Sequence, residues 1–420
     1  MAGRQPTAPA SLTRREFIAR TAWGAAAAAL PLDAMDSTPA PAKASTRPRA
    51  ITMWDFSWIE RRWSGAGYED WPRALDELAA RGYDAVRIDA FPHLVATDPR
   101  REWTLVPVWS VQDWGSPARV QVRLVPALHE FVGLCRERGI RVGLSTWYRE
   151  DEAKTRLRIT SAEVMAGQWN ATLRGLGDAG LLDAVLYVDL CNEWPGALWC
   201  PFFHNQPPEL TWGGWYTETS LAWMRAACSA VRRAFPQLPI GFSFEVHDPE
   251  KLADRDLTFL DYAEPHLWMA QANDSEFYRK CGYKFDLFSN DSYEALEARG
   301  EPLYRSDPGH WQEALRRHIL ARAGALEAHR LPLMTTECWG VVDFKDSPRL
   351  HWDWVKELCR IGVETAAGTG QWLAIASSNF TGPQFHGMWS DVAWHRDITA
   401  LIKRAKIRPE LLRTKLAARL

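Results

Sequence analysis

Short apolar runs recur along the chain from residue 50 to residue 376, and between them lie longer stretches whose apolar residues fall three or four apart. The runs at 51–56, 85–90, 141–146, 184–190, 240–244, 262–268, 333–337 and 370–376 are almost wholly apolar, as expected of strands buried on both faces. Helical periodicity marks 71–81, 119–138, 162–176, 215–235, 311–329 and 350–361, with 249–255 as a short crossover. No linker rich in Pro, Gly or Ser divides this region, so one domain is expected over 45–420. Alternating strands and helices predict an α/β fold, best closed as a (β/α)8 TIM barrel with its site at the strand C-termini. A doubly wound open sheet is the alternative topology, yet neither nucleotide-binding glycine fingerprint is present. On a barrel, the segments 194–219 and 269–309 become long loops above the mouth.

Composition narrows the partners. The 420 residues carry 50 Lys+Arg against 52 Asp+Glu, a formal net charge of −2, so there is no basic excess to hold nucleic acid or an anionic membrane surface. The unusual quantity is 23 Trp, more than the 16 Phe or the 10 Tyr, which supplies flat indole faces. The seven Cys are odd in number and lack C-x-x-C spacing, which points to buried thiols rather than a zinc cage or disulfide framework.

Residues 1–44 read as an address. Thr13-Arg14-Arg15-Glu16-Phe17-Ile18 is a twin-arginine pattern, a small-residue apolar run follows it, and Ala42-Lys43-Ala44 offers a cleavage site. The apolar run falls short of the ~20 residues that span a bilayer. These features predict a signal peptide for the twin-arginine export machinery, a periplasmic or secreted mature protein, and no membrane insertion.

Two carboxylates close predicted strands. Glu193 ends the fourth run after Asn192, and Glu337 ends the seventh after Thr335-Thr336. Strands on opposite sides of a barrel can bring two such groups across a sugar-sized cleft, the arrangement glycoside hydrolysis requires.

Asn192-Glu193-Trp194-Pro195 and Thr336-Glu337-Cys338-Trp339-Gly340 resemble the acid/base and nucleophile motifs of clan A glycoside hydrolases, with cellulase-like (family 5-like) members the nearest match. Arg87 in Val86-Arg87-Ile88-Asp89, His266-Leu267-Trp268 and Trp372 extend the resemblance over the chain after Ala50. The resemblance implies a retaining O-glycosidase for β-linked oligo- or polysaccharides. It makes Glu193 the general acid/base, Glu337 the nucleophile, Asn192 a partner of the sugar 2-hydroxyl, and Arg87 a charge that orients Glu337. The chain departs from the usual Asn-Glu-Pro by inserting Trp194, which leaves the sugar open.

Further candidates for substrate binding are His266, Trp268, Trp372, Trp54, Trp147, Trp339 and Glu245, with His247 and Asp89 at the same predicted mouth. Indoles stack on pyranose faces, and Trp372 is the first choice for the platform under the cleaved residue. Trp199 and Trp212 would flank an open groove, whereas Trp71, Trp169, Trp223, Trp311 and Trp352 lie in helical stretches and are expected to pack there. No metal-ligand spacing occurs, so metal- and cofactor-independent chemistry is expected. Two other readings use the same mouth: a barrel that only captures sugar, and a transglycosylase employing the same pair.

Overall fold

Strand parity decides what enters the interior. Successive side chains on a strand point to opposite faces, so in Ala85–Asp89 the residues Arg87 and Asp89 share a face, as do Tyr187 and Asp189 in Val185–Asp189, and Glu264, His266 and Trp268 in Glu264–Trp268. The structure, a computed structural model, describes residues 46–204, 214–245, 249–284 and 290–420. The twin-arginine pattern, its apolar run, Trp212 and His247 lie outside these residues.

The barrel strands are β1 (Arg49–Asp55), β2 (Ala85–Asp89), β3 (Arg141–Ser145), β4 (Val185–Asp189), β5 (Ile240–Gly241, resuming at Ser243–Glu245), β6 (Glu264–Trp268), β7 (Leu333–Thr335, resuming at Cys338–Trp339) and β8 (Trp372–Ala376). Every pairing among them is parallel, in the order β7-β8-β1-β2-β3-β4-β5. The later half of β5 pairs with β6, and β6 pairs with the later half of β7 and bridges Leu333 through Ala263, which closes the ring. This is the expected (β/α)8 barrel.

Below the mouth the lumen is packed. Tyr187 and Tyr262 meet edge to face at 5.3 Å, and Gly143 and Gly241 make room for them: a Cβ would lie 2.4 Å from the Tyr187 ring at Gly143 and 2.8 Å from the Tyr262 ring at Gly241. All seven cysteines are buried free thiols, in line with the odd count and absent spacing.

Three segments differ from expectation. The stretch 119–138 begins as a strand, Val120–Arg123, paired antiparallel with Glu102–Leu105, and turns helical only at Leu124–Glu137. Its Val-Gln-Val-Arg start has period two, not 3.6. The segment 269–309 is not an open loop but holds helices Ala272–Cys281 and Asn290–Ser306, the second burying Tyr293, Leu296 and Tyr304 on one face. A final helix, Val392–Arg404, capped by Asp391 accepting from the Trp394 amide at 3.1 Å, packs on β1 and on the helix Asp353–Thr369. No helix among the described residues is long and apolar enough to cross a membrane.

Candidate active site

The site is built on one buried guanidinium. Arg87, at the centre of β2, is fully enclosed. Its Nη2 donates to Asp189 Oδ2 at 2.6 Å, Asn192 Oδ1 at 2.7 Å, Ser145 Oγ at 3.0 Å and Ser243 Oγ at 3.1 Å. Its Nη1 donates to Thr336 Oγ1 at 2.8 Å and Glu337 Oε1 at 3.1 Å, with Glu264 Oε1 at 3.7 Å. Burial alone would disfavour this cation, but Glu264, Asp189 and Glu337 outweigh that and raise its pKa well above the ordinary value. Strands β2, β3, β4, β5, β6 and β7 therefore meet at one charge.

Each partner is itself fixed. Asp189 accepts from the Ser243 amide at 2.8 Å, from Ser145 Oγ at 2.6 Å and from Ser243 Oγ at 3.0 Å. Thr336 Oγ1 donates to Glu264 Oε1 at 2.5 Å. Because guanidinium N–H groups only donate, the Asn192 atom facing Arg87 is its oxygen, which leaves the amide NH2 as the group it offers elsewhere.

Glu193 and Glu337 stand above this platform with His266 between them. His266 Nδ1 lies 2.9 Å from Glu193 Oε1 and 3.6 Å from Glu337 Oε2. Trp199 Nε1 donates to Glu193 Oε2 at 3.4 Å, and the Glu193 amide donates to Ser243 Oγ at 3.1 Å. Glu193 adopts φ 47°, a left-handed conformation that costs a non-glycine residue about 1–2 kcal/mol and swings its carboxyl over the lumen.

One ligand atom each from Glu193, His266 and Glu337 lies within 4.8 Å of the others, so these are also the residues that could hold a metal ion. Sequence spacing could not reveal that set, because its members come from three strands.

Burial raises the pKa of both carboxyls. Burial first, then the charge of Glu245, pushes Glu193 up to about 8. Burial also pushes Glu337 up to about 7, against the pull of His266 and Arg87. Arg87 divides its charge among Asp189, Glu264 and Glu337, so its pull on Glu337 does not offset burial.

The pair lies in the wall of a cavity of about 620 Å³ at the C-terminal mouth. Of the residues predicted to bind substrate, Asn192, Trp147, Trp268 and Glu245 line it. Arg87 and His266 do not, and sit beneath the wall holding the carboxyls. Glu245 accepts from Gln271 Nε2. Asp89 is structural, accepting from the backbone amides of Phe91 at 2.7 Å and Trp147 at 2.9 Å.

Three predicted indoles are elsewhere. Trp372 opens β8 and is therefore at the bottom of the barrel, opposite Leu333 at the start of β7. Trp339 donates to the Ala376 carbonyl at 2.8 Å and packs on the helix Asp353–Thr369, where a Cβ at Gly362 would lie 2.4 Å from its ring. Trp54 falls between the wall residues Met53 and Asp55, so parity turns it outward to Tyr68 and Phe131, with Nε1 donating to the Thr381 carbonyl at 3.1 Å. In their place the wall carries Trp109, Trp114, Tyr278 and Tyr283. The first two flank a turn-rich stretch that follows the strand Glu102–Leu105, a detectable signal; the tyrosines come from the segment read as loop.

A closed (β/α)8 barrel with two close carboxyls over a buried arginine at its mouth defines an α/β-barrel protein with its polar site at the strand C-termini. The chain belongs to the cellulase-like family, described as sugar-binding cellulase-like, whose profile matches residues 51–403. A "putative glycoside hydrolase" from Parabacteroides distasonis ATCC 8503 is 49% identical, with 90% of this chain covering 100% of that one at a TM-score of 0.88. GH5_18 from Streptomyces cattleya, solved with GlcNAc, is 15% identical over 79% of this chain and 70% of its own, at a TM-score of 0.44. No curated protein matches.

Proposed function

We propose that the protein is a retaining O-glycosidase acting on a β-linked oligo- or polysaccharide, with Glu193 as general acid/base and Glu337 as nucleophile. The observation that carries this reading is the placement of one oxygen of each carboxyl within 4.8 Å of the other in the wall of a cavity of about 620 Å³. Retaining glycosidases hold their carboxyls ~5–5.5 Å apart, whereas inverting ones leave room for water at ~6.5–9.5 Å. Family membership supports carbohydrate as the substrate class.

The chemistry follows from the proton order. Glu193, raised by burial and by the charge of Glu245, is the proton donor and gives its proton to the leaving oxygen as the glycosidic C–O bond breaks. Glu337, as the carboxylate, forms the bond to the anomeric carbon. Glu193, now ionised, takes a proton from water as that water displaces Glu337, which restores both groups. His266 steadies Glu193 from one side and Trp199 from the other. Arg87 acts through Glu337 and Asn192 as a positioning residue.

Export through the twin-arginine route to the periplasm or beyond is part of the proposal and rests on the Thr13–Ile18 pattern. Hydrolysis of aryl β-glycosides by the mature chain, compared with Glu193→Gln and Glu337→Gln, tests the assignment. Loss of turnover in both variants supports it, and full activity in either refutes it.

A further inference from the structure

The triangle of Glu193, His266 and Glu337 has the dimensions of a metal's ligand shell. His266 Nδ1 lies 2.9 Å from Glu193 Oε1 and 3.6 Å from Glu337 Oε2. Two donors on one tetrahedral zinc ion, with bonds of ~2.0–2.1 Å, stand ~3.3–3.4 Å apart, a value these separations bracket. The third separation, within 4.8 Å, closes as a carboxyl turns about its last torsion, which is broad. The other oxygen of each carboxyl is already held, Glu337 Oε1 by Arg87 at 3.1 Å and Glu193 Oε2 by Trp199 Nε1 at 3.4 Å. Hydrogen bonds of this kind orient ligating carboxylates. His266 Nε2 has no hydrogen-bond partner among the described residues, so no bond there fixes the tautomer and Nδ1 can present its lone pair. Both carboxyl side chains are 12% exposed and line the cavity, so an ion reaches them from the mouth.

We propose that Glu193, His266 and Glu337 form an inhibitory site for a divalent transition-metal ion of the zinc class. One imidazole nitrogen and two carboxylate oxygens suit that class. Magnesium, which keeps an octahedral shell of oxygens, and calcium, which takes still more of them, fit the triangle poorly. Binding forms two Zn–O bonds and one Zn–N bond, and any proton held on either carboxyl leaves to solvent. Neither carboxyl is then left to protonate the leaving oxygen or to attack the anomeric carbon. The inhibitory role rests on the glycosidase reading; the site rests on the geometry alone.

Calorimetry with zinc chloride on the metal-free, tag-free protein, and turnover of aryl β-glycosides in the same buffers, provide the test. Zinc is expected to bind one-to-one, to release protons seen as a heat that varies with the buffer, and to suppress turnover until chelator restores it. Magnesium should do neither. His266→Gln and Glu337→Gln should each lose the binding, and Trp199→Phe, which frees Glu193 Oε2, should weaken it by about ten-fold. Cobalt(II) as a probe should show the intense visible bands of a four- or five-coordinate ion in wild type. No zinc binding to wild type, or binding unchanged in the folded ligand variants, overturns the site. If one variant fails to fold by its melting curve the other decides, and if both fail the cobalt spectrum decides, weak six-coordinate bands overturning the site. Turnover unaffected or raised by bound zinc overturns the inhibition. Zinc held by the triad in a chain that turns over none of the glycosides removes the glycosidase reading and leaves the metal site standing.

Discussion

Arg87 lies closer to Asp189, at 2.6 Å, than to Glu337, at 3.1 Å. The charge that would hold a nucleophile ionised is spent first on a residue with no access to the cavity. Asp189 thereby fixes the guanidinium fork, and the fork fixes Asn192 and Glu337 in turn. Arg87→Lys, which keeps a charge but loses the fork, is expected to lower kcat by about 10²-fold while leaving Asp189 and Glu264 poorly compensated. Arg87→Met should cost about 3–5 kcal/mol of stability, read from urea unfolding. A stable, fully active Arg87→Met would contradict the platform.

The pH profile should be bell-shaped about neutrality. Glu337 must lose its proton and is pushed up to about 7; Glu193 must keep its own and is pushed up to about 8. The limbs of kcat/KM belong to the coupled pair. Glu245 raises the pKa of Glu193 by its negative charge, so Glu245→Gln should move the alkaline limb to lower pH. An alkaline limb that stays in place would remove Glu193 as the acid.

Stability should fall as pH rises from about 6.5 to 8. Asp55, Asp89 and Asp343 are each pushed up to about 7 by burial, alongside Glu193 and Glu337. In that window the folded chain binds more protons at these groups than the unfolded chain, whose carboxyls titrate near 4, so deprotonation favours unfolding. Below about 6.5 the buried His93 and His395, held down to about 4 and about 3, work in the opposite sense. Tm measured across the window checks the sign; a rise from 6.5 to 8 would contradict it.

The indoles divide into two groups by experiment. Trp147 lines the cavity with the Arg87 guanidinium 4.7 Å from its ring, so Trp147→Ala should raise KM and lower kcat. Trp372→Ala, at the barrel bottom, should cost about 3–5 kcal/mol of stability and leave KM within two-fold. Kinetics and melting curves of both variants decide it.

Chelator treatment should leave turnover unchanged, because the proposed steps use carboxyls alone. Loss of activity restored by a divalent cation would assign Glu193, His266 and Glu337 to a metal instead.

The barrel was legible because eight apolar runs and their spacing survive any detail of packing. Glu193, Glu337 and Asn192 were legible as polar residues at strand ends. Asp189 and Glu264 were not singled out, although each interrupts an apolar run at a position whose parity matches an inward neighbour, Tyr187 or His266. That alternation was the available signal. Trp54 and Trp372 were misplaced for complementary reasons: the first has the wrong parity, and the second lies at the wrong end of its strand. Trp109, Trp114 and Tyr283 reach the wall through irregular or inserted segments, where neither period two nor 3.6 reports direction.

The most direct measurement is the configuration of the first-formed product, followed by NMR, together with intact mass after exposure to an activated 2-deoxy-2-fluoro β-glycoside. The account predicts a β-configured product and one covalent label on Glu337, absent in Glu337→Gln. An α-configured product, or a label on any other residue, would contradict it.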